Sequence, residues 1–88
     1  MVEGKTKSGF KFKINENIFR DWDFITLSES IKNNGASMSD VNNLIIMVLG
    51  EKGFDSLKDH VRKKLGYADY VQIETEFKEI CSNVQVKN

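Results

Sequence analysis

The stretch GFKFKINENIFRDWDF, residues 9–24, opens as a strict alternation of aromatic and lysine and closes around the only tryptophan of an 88-residue chain. Alternation at period two is the signature of a strand with one dry face. Phe10, Phe12 and Ile14 therefore fall on one side and Lys11 and Lys13 on the other. Upstream, VEGKT is separated from GFKFKI by Lys7 and Ser8, and Gly9 can take the turn conformation. That arrangement predicts a β-hairpin over residues 1–14, or at the least one strand at 10–14, whose aromatics point into a core, with its lysines as a wet face rather than a grip on phosphate.

Beyond Ile14 the period changes to that of a helix. Ile18, Trp22 and Ile25 are spaced by four and three, Phe19, Phe24 and Leu27 widen the apolar zone, and Asn15 is a suitable cap. The Asp21–Asp23 region is where this segment is expected to kink or restart, and Asn33-Asn34-Gly35 should stop it. SMSD at 37–40 has the form of a capping box, with Asp40 in the place usually held by Glu. It opens a helix whose face is Val41, Leu44, Ile45, Val48 and Leu49, extended by Met47, and which should be central to the domain. Gly50 and Gly53 separate it from a helix carrying Phe54, Leu57, Val61 and Leu65, and Gly66 ends that one. Asp69 should cap the last helix, with Tyr70, Ile73, Phe77, Ile80 and Cys81 as its stripe. The reading is a single α+β domain, mostly α: a hairpin at 1–14, about four short helices over 15–81, and a flexible tail at 82–88.

Composition narrows function by exclusion. Thirteen Lys plus Arg balance thirteen Asp plus Glu, so there is no net field to attract nucleic acid or an anionic membrane. One cysteine allows no intramolecular disulfide, and no apolar run is long enough to span a bilayer or serve as a secretion signal, so a cytoplasmic protein is expected. Catalysis needs convergent groups, yet His60 and Cys81 are single and sit on different expected helices, which gives at most half of a tetrahedral metal site. No phosphate loop, calcium loop or nucleophile elbow appears, so neither an enzyme nor a cofactor is expected. His60 is read as solvent-facing and Cys81 as a small hydrophobe in a helix stripe.

Two binding classes remain. The helix at 54–65 bears Lys58, Arg62, Lys63 and Lys64 and could serve a small phage or bacterial DNA-binding regulator. The acidic Glu74, Glu76 and Glu79 of the last helix and the lack of an RNA-stacking motif make nucleic acid the weaker option. Protein binding is favoured because Phe19, Trp22, Phe24, Met38, Met47, Tyr67 and Tyr70 together exceed what so thin a domain readily covers, and aromatics and Met are enriched in interface cores.

The order of pieces, TKSGFKFKI, ENIFRDWDFITLSESI, VNNLIIMVLGEKGFDSL and KDHVRKKLGYADYVQIETEFKEI, resembles the tail assembly chaperones of long-tailed bacteriophages and prophages over about residues 5–81. The resemblance implies a non-enzymatic protein of the bacterial host cytoplasm. It would bind the phage tape measure protein, keeping it soluble until the tail tube protein polymerises around it, with self-association left open. It also implies that a longer frameshifted product can arise near the C-terminus. The family carries no fixed ligand motif. An aromatic-rich groove between helices, with Trp22 and Phe24 at or beside it, is the expected binding site.

Overall fold

The computed structural model describes residues 1–87, with side chains described as far as Val84. Two strands, β1 (Val2–Lys5) and β2 (Lys11–Ile14), pair antiparallel, with Val2 opposite Ile14 and Lys5 opposite Lys11. A 3-10 turn over Glu16–Arg20 follows, then α1 (Trp22–Asn34), α2 (Met38–Leu65) and α3 (Tyr70–Lys87). The domain is α+β and mostly α, with the hairpin first, as its sequence pattern predicts.

The alternation of β2 places Phe10, Phe12 and Ile14 in the core, while Lys11 and Lys13 face solvent. Gly4 lies across from Phe12, and the Phe12 ring covers it so closely that a Cβ there would stand 2.6 Å from its Cζ. The pairing of VEGK with β2 therefore depends on a residue without a side chain. β1 packs on α3 and β2 on α2, so the sheet's inner face lies over the pair of long helices. The core is continuous: the hairpin residues meet Ile45, Val48, Phe54, Leu57 and Val61 of α2 and Ile73, Phe77, Ile80 and Val84 of α3.

The helix boundaries follow their caps. Asp21 accepts from the Phe24 amide at 3.0 Å and starts α1 after the 3-10 turn, so the acidic segment around Trp22 is a restart. Ser37 and Asp40 form the reciprocal capping box. Asp69 accepts from the Gln72 amide at 2.9 Å and opens α3. Inside α2, Gly50 breaks the helix with φ 77° and ψ 166°, a conformation that a Cβ disfavours. Its two arms, 38–49 and 51–65, correspond to the two helices expected from the sequence, whereas Gly53 remains helical.

Two expectations are corrected. The chain past Cys81 is helix rather than a flexible tail as far as Lys87, because the apolar spacing of α3 continues from Ile80 to Val84, which is fully buried. The part of that expected tail at Asn88 lies outside the described residues. His60, expected to face solvent, is half-buried and bonds Ser8.

Val84→Ala should lower stability by about 2 kcal/mol in urea denaturation, through lost burial and a residual cavity. Gly4→Val should lower it by about 1–3 kcal/mol, because the added side chain must displace Phe12. An unchanged midpoint in the first variant would mean that the end of α3 does not belong to the cooperative unit.

Candidate protein-binding surface

The seven side chains singled out from the sequence fall into two clusters on different parts of the molecule. At the entry to α1, Phe19 and Phe24 are half-buried and meet edge to face, with ring centroids 5.4 Å apart at 89°, and both lean on the core. Met47 lines a shallow cleft beside them with Asn15, Asn17, Ile18, Asp21 and Val48. Trp22, the first residue of α1, stands 82% exposed. Its place is explained by the cap: Asp21 fixes where the helix begins, and the next position points outward while Phe24, two residues on, points in. α1 has no buried residue along its whole length, and its apolar outer face, Trp22 and Ile25, is open to solvent.

The second cluster is an apolar groove of 140 Å³ between the two arms of α2 and the start of α3. Met38, Val41, Ile45, Phe54, Ala68, Tyr70 and Ile73 line it, with Asn42, Lys58 and Glu74 as its polar lining. Tyr67 stands exposed at the turn beside Ala68. Neither Trp22 nor Phe24, expected at or beside an aromatic-rich groove between helices, lines this one; both belong to α1.

Several polar and ionisable side chains around the hairpin turn hold the fold. The hairpin turn is tied to both long helices. Ser8 Oγ lies 2.9 Å from His60 Nε2, the Lys7 amide donates to Glu79 Oε2 at 2.7 Å, and Lys64 Nζ donates to the Ser8 carbonyl. Glu76 is buried in α3 beneath this turn and accepts from Gln72 Nε2 at 2.8 Å. Burial pushes its carboxyl up, but hydrogen bonding with Thr6, Ser8 and Gln72, and the nearby His60 charge, outweigh that and hold it below the ordinary value. The Thr6 and Ser8 hydroxyls lie 3.2 Å from each other, and Glu76 Oε1 is buried without a direct partner among the described residues. Sequence reasoning missed this cluster because the contacts that join the turn to the helices, Ser8–His60 and Lys7–Glu79, span 52 and 72 residues of chain.

A serine within reach of a histidine is also the beginning of a nucleophile–base pair. Here the carboxylate stands on the serine side, and no carboxylate bonds the other ring nitrogen of His60 among the described residues. The contact serves to clamp the hairpin. Burial raises the Cys81 thiol to about 11, which keeps it protonated and poorly nucleophilic near neutral pH. No three of the described His, Cys, Asp and Glu residues converge as metal ligands, and no described helix is long and apolar enough to cross a membrane.

The cations of the second arm of α2 are largely engaged within the chain. Lys58 pairs with Asp55 at 3.4 Å and lies over the Phe54 ring, Arg62 pairs with Asp59 at 2.7 Å, and Lys64 reaches the hairpin. The two ion pairs, each three apart on one helix, offset part of the positive charge of this arm. No family model, curated protein or solved structure matches the chain.

The depressed carboxyl of Glu76 has a stability consequence whose sign is fixed by linkage. A group whose folded pKa lies below its unfolded value, about 4.3 for Glu, stabilises the fold above that value and loses the contribution as pH falls through the folded pKa. Glu76→Gln should therefore be less stable than the parent at pH 7, by about 1–3 kcal/mol for a disrupted buried hydrogen-bonded group. The gap should close below about pH 4, measured by urea titration at each pH. A gap that persisted undiminished at pH 3 would assign the loss to packing instead of charge.

Proposed function

We propose that this chain is a non-enzymatic tail assembly chaperone of a long-tailed bacteriophage or prophage, binding the helical tape measure protein before the tail tube forms around it. The observation that carries this reading is α1: a helix with no buried residue, presenting Trp22 and Ile25 outward, beside a core that the hairpin, α2 and α3 close without it. A helix so placed offers an apolar stripe to a second helix, and a tape measure protein supplies long amphipathic helices of the matching kind. The resemblance in the order of segments supports the choice of partner. On this reading the cytoplasm of the bacterial host is where the chain acts, and the tail tube protein is a secondary partner.

Duplex DNA is the alternative partner, and the pairing of Lys58 and Arg62 with aspartates of their own helix weighs against it. A titration over a salt series separates the two readings, because a regulator that neutralises several phosphates loses affinity steeply with salt.

The deciding experiment is co-expression with the product of the long helical gene downstream of a major tail protein gene. The parent chain should co-purify with it and keep it soluble. Trp22→Ala should retain its circular dichroism and melting behaviour, since Trp22 contributes nothing to the core, while weakening the complex at least tenfold, about 1.4 kcal/mol, as a truncated interface aromatic does. A folded Trp22→Ala variant with undiminished complex formation would remove α1 as the contact surface, and absence of any complex with the parent chain would remove the function.

A further inference from the structure

The outer face of α1 carries charge as well as apolar surface. Trp22 is 82% and Ile25 46% exposed, and Asp23 and Glu29 are exposed with them. Seven residues make close to two turns of helix, so Glu29 lies on the line of Trp22 about 10 Å further along, while Ile25 flanks that line on one side and Asp23 on the other. Among the described residues no ion pair engages Asp23 or Glu29, in contrast to Asp55, Asp59 and Glu74, which each hold a cation of their own helix. The two bases of this segment are placed where helix dipoles favour them, Arg20 in the last turn of the 3-10 segment and Lys32 in the last turn of α1. Asp23 stands in the first turn, where the same dipole favours an acid, but Glu29 lies beyond it and no cap or cation accounts for its place.

We infer that this face receives a cationic amphipathic helix of a partner protein, whose apolar stripe covers Trp22 and Ile25 and whose bordering Lys or Arg side chains reach Asp23 and Glu29. The inference rests on the proposed reading of α1 as the contact helix and specifies the chemistry of what it contacts. Two observations choose the occupant. The first is the sign of the border. An apolar helix face that lies on an anionic membrane is bordered by Lys and Arg, and a surface that grips nucleic acid is basic. Residues 16–34 instead hold four acidic and two basic side chains, in a chain that is neutral as a whole. Carboxylates at the border repel both of those occupants and hold a cationic helix. The second is the tryptophan. An indole face attracts a cation more strongly than the other aromatics do, so Trp22 favours the same sign of charge as the acids beside it. A partner helix lying along α1 meets Trp22 and Glu29 with side chains seven positions apart, two turns on each helix.

The test uses the whole chain and two tryptophan-free synthetic helical peptides with the same leucine stripe, one bordered by lysines and the other by glutamates. Binding is read through the emission of Trp22, the only tryptophan. The lysine peptide should shift that emission to the blue and saturate. At low salt it should bind about tenfold or more tightly than the glutamate peptide, and high salt should remove most of the preference by screening exposed charges. Glu29→Gln and Glu29→Lys change an exposed side chain outside the core, so both should keep the parent's circular dichroism. The first should weaken the lysine peptide about threefold and the second more, with the glutamate peptide strengthened in the second. Equal affinity of the parent for the two peptides, a preference for the glutamate peptide, binding that leaves the Trp22 emission unmoved, or no binding of either would each overturn the inference. So would a preference unchanged in both Glu29 variants. A parent that prefers the lysine peptide but forms no complex on co-expression removes the proposed function and leaves the chemistry of this face standing, whereas co-purification without the peptide preference removes this inference alone.

Discussion

Everything else in this domain depends on the inner face of β2. Phe10, Phe12 and Ile14 fill the space between α2 and α3, and without them the facing stripes, Leu57 and Val61 on one helix and Ile73, Phe77 and Ile80 on the other, would open to water. A two-stranded hairpin is marginal by itself. It persists here because it is anchored at two levels: apolar side chains beneath, and a polar turn that bonds both helices through Ser8, Lys7 and Glu79. The buried carboxylate of Glu76 under that turn is tolerable because hydrogen-bonding side chains and His60 surround it. The result is a three-part core made by hairpin, α2 and α3.

That economy leaves α1 outside. An 88-residue chain buries a limited share of its surface, and here the burial goes to the hairpin and the two long helices. α1 rests on them chiefly through Phe24, wedged against Phe19, and keeps Trp22 in water. A large aromatic kept in solvent at a capped helix start is a poor choice for a core and a good one for a contact. The division of labour between a closed core and an open helix is the feature on which the proposed chaperone role rests.

Much of the fold could be read from local rules acting over a few residues. The alternation at 10–14 gave the dry face of β2, the Ser37–Asp40 spacing gave the capping box, Gly50 marked the break, and Asp21 and Asp69 marked helix starts. What could not be read was set by distant contacts. Nothing local says that Gly4 must accommodate the Phe12 ring, and the pairing of VEGK with β2 is fixed by that cross-strand fit. Nothing local joins Ser8 to His60. Val84 did carry a signal, since it stands four residues beyond Ile80 in the α3 stripe, but the polar Ser82, Asn83 and Gln85 around it concealed the period. The candidate surface was legible as residue types and not as places. Aromatics in excess of the core were foreseeable, whereas their separation into an α1 cluster and a groove cluster is decided by how α1 and α3 pack on α2.

The central claim is that α1 stands outside the cooperative core. Native-state hydrogen exchange measures this directly, amide by amide. The amides of β2, α2 and α3 should share one high opening free energy equal to that of global unfolding, while those of α1 exchange through a separate opening of lower free energy. Exchange of α1 only with the global event would contradict the account, since it would make α1 a structural member of the core rather than a helix held open for a partner.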